Sequence, residues 1–222
     1  QAGLMPGDVL LAWEDHLITG TDVTEVARGI RGMKGPFTLQ VLRPSLDQEL
    51  TFTLECRQVN KDTVVSELME DGVGYIRIRE FDEVTVGQFR DAVDALQNAG
   101  ASSLVIDVRD NPGGLLNAVC DILDYLLPEG LLVYTMDRSG NREDYRSSDT
   151  HRVDLPMAVL VNGNSASASE LFAGALHDRD KATLIGTTTF GKGIVQQTFM
   201  LKDGSAIKFT VQKYYTPGGT CI

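Results

Sequence analysis

The sequence predicts an α/β protein, with βαβ units around a sheet of buried parallel strands and a smaller α/β unit ahead of it. Two observations carry this. From residue 74 on, strand-length apolar runs alternate with stretches of helical spacing: Gly74-Tyr75-Ile76-Arg77-Ile78-Arg79, residues 85–96, Leu104-Val105-Ile106-Asp107-Val108, residues 115–127, and Met157-Ala158-Val159-Leu160-Val161 followed by a helix near Glu170. Strand, helix and strand in that order imply parallel pairing through a crossover. Ahead of residue 57 the pattern is instead one helix and a hairpin pair. We therefore expect one domain over 1–57 and a second over 58–222.

In chain order, Pro6-Gly7-Asp8 makes a turn feeding a strand that reaches Trp13. Thr21-Asp22 offers a cap for a helix over 23–30, closed by Gly32 and Gly35. Residues 37–43 and 50–54 alternate as a hairpin pair, and 58–71 form a polar connector with a short strand over 63–67. Phe89, Val93 and Leu96 share a helical face, and Gly100 ends that helix. Asn111-Pro112-Gly113-Gly114 turns the next strand into the next helix. Residues 131–136 form a strand, and the charged stretch 137–154 forms an exposed excursion or hairpin. After Asp203-Gly204, Ile207, Phe209 and Val211 alternate with Lys208, Thr210 and Gln212 in a late strand.

The bulk properties narrow the function. A 222-residue chain with 42% hydrophobic residues can bury a sizeable core, and a net charge of −11 argues against nucleic acid and anionic membrane surfaces as partners. Cys56, Cys120 and Cys221 have neither metal-ligand spacing nor a disulfide count, and Cys120 falls in an apolar helical pattern that reads as core. Asp107 and Asp110 lack a nearby histidine or third acid, so no metal site is expected. No cofactor fingerprint of the G-x-G-x-x-G type is present.

The chemistry concentrates in residues 161–197. Ser165, Ser167 and Ser169 sit where a strand turns into a helix, and a hydroxyl at a helix N-terminus is well placed for nucleophilic attack. Ser167 with Glu170 is equally a capping box, and the residues alone leave both readings open. Lys192, between Gly191 and Gly193, can serve as base only if desolvated; small neighbours allow it to be buried, while an exposed lysine in a glycine turn is the plain alternative. The paired glycines Gly113-Gly114 at a helix start let backbone N–H groups approach an anion. Histidine is a weaker base candidate. His16 lies in the first unit, His151 in the charged excursion, and His177 about 15 Å from Ser167 along the helix at 1.5 Å per residue.

Ser165-Ala166-Ser167-Ala168-Ser169-Glu170 followed by Phe190-Gly191-Lys192-Gly193 resembles the C-terminal processing peptidases, or tail-specific proteases, which use a serine–lysine dyad. The family's lysine follows its nucleophile by 25 residues, which selects Ser167 and Lys192, and Gln196 matches the glutamine that supports the lysine. The resemblance implies an oxyanion hole from the N–H groups of Gly113 and Ala168. It implies a crotonase/ClpP-like catalytic core preceded by a partial PDZ-like domain, no cofactor, and protein or peptide substrates with apolar C-terminal tails. Asp178 matches an acid of some family members and reads as structural. The front of the PDZ-like part is missing, so we expect a fragment whose natural N-terminus carries the targeting or anchoring segment. The resemblance further implies an extracytoplasmic location, and it allows a membrane anchor outside this stretch and a homo-oligomer. The rival reading is a noncatalytic peptide-binding scaffold that keeps the fold. A serine–histidine esterase, the third reading, lacks a G-x-S-x-G elbow.

Overall fold

The computed structural model describes residues 2–18, 20, 22–57, 61–148 and 153–222. The chain divides into two compact units, Gln1–Asn60 and Lys61–Ile222.

In the first unit, β1 (Val9–Trp13), β2 (His16–Leu17), α1 (Val23–Arg31), β3 (Pro36–Arg43) and β4 (Gln48–Glu55) follow one another. The strands form an antiparallel sheet in the order β2-β1-β3-β4. Asp22 starts α1 by accepting the Thr24 N–H at 2.7 Å, the cap that the sequence suggests. Trp13, Val26, Phe37, Leu39 and Val41 form the core of this unit. The helix approaches closely at Gly29, where an added Cβ would lie 2.8 Å from Trp13 Cζ2.

The second unit holds β5 (Val64–Leu68), β6 (Val73–Ile78), α2 (Glu83–Asn98), β7 (Ser103–Asp107), α3 (Leu116–Leu126), β8 (Gly130–Asp137), β9 (Arg142–Ser147), β10 (Met157–Val161), α4 (Ala168–Asp178), β11 (Ala182–Gly186), β12 (Ile194–Met200) and β13 (Ala206–Tyr215). One sheet runs β11-β10-β7-β6-β5, parallel from β11 to β6, with β5 added antiparallel. The other, β12-β13-β8-β9, is antiparallel throughout. The predicted parallel core is thus present, and the charged excursion contains β9, paired back onto β8. The short strand β11 was not expected from the sequence.

The three helices link the two sheets: α2 packs on β5 and β6, α4 contacts β11 and β8, and α3 contacts α2, α4, β8 and β9. Ile76 and Ile78, Phe89 and Val93, Leu104 and Ile106, Ile122 and Leu123, and Leu171 and Phe172 are all buried in one core. Cys120 packs against that core as expected, and burial pushes its thiol up to about 12. The parallel strands β6, β7 and β10 end together, and the segments leaving them carry the site.

Candidate active site

The three serines are not equivalent once folded. Ser165 is fully buried; its hydroxyl donates to the Val108 carbonyl at 2.7 Å and accepts the Asn162 N–H at 3.0 Å. Ser169 is also buried, donating to the Asn111 carbonyl at 3.0 Å. Only Ser167 is half-exposed. Its backbone has φ 56° and ψ −116°, a conformation costing a non-glycine residue about 1–3 kcal/mol. The strain produces a sharp elbow that turns this side chain out of the packed layer while its neighbours point in. The elbow forms without the flanking glycines that usually mark one, using the small residues Ala166 and Ala168 instead.

Ser167 also starts α4. Its Oγ sits in the capping-box position facing the Glu170 N–H, which also bonds the Ser167 carbonyl oxygen at 2.9 Å. The Glu170 half of the box is made, with Oε2 accepting the Ser167 N–H at 2.7 Å. The same carboxylate reaches further. Oε1 accepts the Gly191 N–H at 2.7 Å and Oε2 the Lys192 N–H at 2.8 Å. A residue only 5% exposed thereby ties the serine's backbone to the lysine's backbone across more than twenty residues of sequence.

The glycine loop lies against the elbow. A Cβ at Gly113, where φ is +101°, would fall 2.6 Å from the Ala166 carbonyl oxygen, 2.9 Å from Ala168 N and 3.0 Å from Ser167 Cβ. Only glycine fits. The Gly113 N–H is directed to Asn111 Oδ1 at 2.9 Å. The Ala168 N–H meets no acceptor among the described residues.

Beneath the loop, the buried Asp107 carboxylate accepts from the Arg109 side chain at 2.7 and 2.9 Å, from the Arg109 N–H at 2.9 Å and from the Tyr75 hydroxyl at 2.7 Å. Burial pushes the Asp107 pKa up, but these donors outweigh it and hold it below the usual carboxylate value. Asp110 accepts from the Asn162 and Asn164 side-chain amides at 3.0 and 2.8 Å, joining the end of β7 to the turn after β10. A depressed native pKa stabilises the fold above the unfolded value near ~4, and that stability is lost as pH falls through the native value. Tyr75→Phe is therefore expected to cost about 1–2 kcal/mol at pH 7 and progressively less below pH ~4. Urea unfolding of both proteins from pH 7 to pH 2 checks this; a pH-independent difference would contradict it.

Of the residues singled out from the sequence, the fold brings Ser167, Ala168 and Gly113 together and the Lys192 backbone onto the same carboxylate. The burial that glycine neighbours would allow Lys192 is not found, and the residue is exposed. Gln196 is exposed on β12 beside a register shift, and its side chain makes no hydrogen bond among the described residues. His177 lies at the far end of α4 from Ser167, and Asp178 accepts the Gly218 N–H at 2.8 Å. His151 lies outside the described residues. The sequence reading missed two residues. One is Asn111, whose only signal is its place ahead of Pro112-Gly113-Gly114; the other is the second reach of Glu170, which local spacing does not encode.

The profile of Peptidase family S41 matches residues 72–222. The chain belongs to peptidase family S41. It is 39% identical over 222 residues to a carboxyl-terminal-processing protease of Synechocystis sp., covering 98% of this chain and 52% of that protein. It is 37% identical over 227 residues to the carboxy-terminal processing protease CtpB of Bacillus subtilis, covering 100% of this chain and 47% of that protein. The chain thus spans about half the length of these S41 relatives. Among solved structures, the photosystem II D1 C-terminal processing protease superposes with a TM-score of 0.68 at 29% identity, over 99% of this chain and 61% of that one.

Proposed function

We propose that the protein is a serine endopeptidase that cleaves proteins near their C-termini, with Ser167 as nucleophile and Lys192 as general base. The carrying observation is the strained elbow that leaves Ser167 alone of three serines accessible, beside a carboxylate bonded to both its N–H and that of Lys192. Ser167 Oγ attacks the scissile carbonyl as its proton passes to the unprotonated Lys192 amine. The Ala168 N–H and a glycine-loop N–H hold the oxyanion, the latter being the role that the family resemblance implies for Gly113. The resulting ammonium protonates the departing amine, and water, deprotonated by the same lysine, releases the acyl group. Gln196 orients Lys192 once the substrate covers the exposed loop and removes water from it. The relatives' names support protein substrates, and unstructured apolar C-terminal tails are the class proposed for this chain. We extend the proposal to an extracytoplasmic location, a membrane anchor outside this stretch and a homo-oligomer.

Exposure of Lys192 favours the second reading, a noncatalytic peptide-binding scaffold. Labelling with a fluorophosphonate and cleavage of a tail-bearing unfolded protein, followed by intact mass, separate the two. A tag on Ser167 that persists in Ser165→Ala and Ser169→Ala, with cuts inside the tail, is expected. Absence of both tag and cuts in the full-length protein would leave the scaffold.

A further inference from the structure

Directly behind the glycine loop, a cleft opens between the first turns of α2 and α3. A short bridge brings the two helix starts together there: the Gly113 carbonyl accepts the Phe81 N–H at 2.9 Å, and the Phe81 carbonyl accepts the Leu115 N–H at 2.8 Å. Gly113 is also the residue that lies against Ser167. The cleft has a volume of about 520 Å³, within the range of ordinary ligand sites. Val86, Leu115, Leu116 and Ala118 line it together with the acids Glu83 and Asp121.

The lining divides by chemistry. Val86 and Leu116 pack partly onto the main core and Ala118 is buried, whereas Leu115 is left 45% exposed as an apolar wall. Leu115 is also the N-cap of α3 and gives that helix no side-chain cap hydrogen bond, where serine or aspartate would supply one. Breaking a local rule to place a leucine in solvent is a feature that folds tolerate mainly at functional sites. Glu83 and Asp121 are exposed, and neither side chain makes a hydrogen bond or ion pair among the described residues. No cation answers them: α3 has no basic residue, and the single one of α2, Arg90, lies over the Tyr125 ring.

We infer that this cleft is a specificity subsite for a long, cation-tipped side chain of the substrate, lysine or arginine. The methylene stem lies along Val86, Leu115 and Leu116, and the charge is held by Glu83 and Asp121. The subsite presupposes the peptidase reading and specifies one position of its substrate. Leu115 is two residues from Gly113, at most ~7 Å between Cα atoms, and an extended substrate advances ~3.3 Å per residue, which puts that position within about two residues of the scissile bond. A neutral side chain covers the apolar wall but gains nothing from the two carboxylates, and an acidic one is repelled. The net charge of −11 draws cationic segments toward the protein as a whole, and the cleft selects where the charge is seated.

The test uses the full-length protein and an unfolded, tail-bearing substrate whose cut is mapped by intact mass. Lysine, norleucine and glutamate are placed in turn at each position within about three residues of the cut, and kcat/KM is compared. At one position lysine is expected to exceed norleucine about tenfold and glutamate to fall below both. The lysine advantage is expected to shrink as NaCl rises from about 50 to about 500 mM. In Glu83→Gln/Asp121→Asn the lysine-to-norleucine ratio at that position should fall to within about twofold of unity, while Asp121→Glu, which keeps both charges, retains it. Cleavage without a lysine preference at any position, or a preference that survives the double substitution, overturns the inference and leaves the peptidase reading intact. If the full-length protein cuts none of the substrates, the peptidase reading fails and the subsite falls with it.

Discussion

Ser167→Ala and Lys192→Ala are each expected to lower turnover of an unfolded, tail-bearing protein by about 10⁴-fold or more, and the double variant to be no slower than either alone. A nucleophile and its base make one chemical step, so once either is gone the other has nothing left to contribute. Additive losses would mean that the two residues serve separate steps. The lysine arm is the more exposing test, because this residue stands in solvent in the resting structure. Retention of activity within about tenfold in Lys192→Ala would remove it as the base. The residual rate in both single variants then measures what the oxyanion donors and substrate binding supply by themselves.

The second large effect is expected at Glu170. Alanine there strands three backbone N–H donors at once, those of Ser167, Gly191 and Lys192. Gly191 and Lys192 are exposed and can turn to water, so the penalty concentrates at Ser167, whose N–H lies inside the elbow. We expect a stability loss of about 3 kcal/mol. Without the shared carboxylate the lysine's loop keeps the Phe190 N–H bond to the Ser165 carbonyl at 3.0 Å but loses both of its bonds to Glu170, and a displacement of about 1 Å typically costs on the order of 10²-fold in rate. Urea unfolding and single-turnover kinetics read the two effects separately. Wild-type acylation in a destabilised Glu170→Ala would show that the carboxylate braces the fold without aligning the site.

Local sequence pattern sufficed for whatever repeats along one element. Alternation in Gly74-Tyr75-Ile76-Arg77-Ile78 and the spacing of Phe89, Val93 and Leu96 predicted β6 and α2, because one buried face imposes a period. Strand β11 escaped: Ala182-Thr183-Leu184-Ile185-Gly186 is a short edge strand, paired only with β10 and buried only at Ala182, so no period marks it. Glu170 was legible as half of a capping box, since that motif spans three residues. Its bonds to Gly191 and Lys192 were not, because they cross between elements that only the fold brings together. The Gly113 donor shows the same limit: the glycines mark a close backbone approach, but the direction of their N–H groups depends on Asn111 and Phe81.

The bonds that shape the elbow also order events during folding. Ser165 reaches Val108 across 57 residues and Ser169 reaches Asn111 across 58. Contacts of that separation form only after the chain has closed a long loop, which makes them late relative to helices and hairpins. Until β10 lies beside β7, nothing compels Ser167 into its costly backbone conformation, and all three serines are ordinary hydroxyls on an unformed turn. With Ser167 as the proposed nucleophile, the elbow geometry that exposes it appears only with completion of the sheet that supports it.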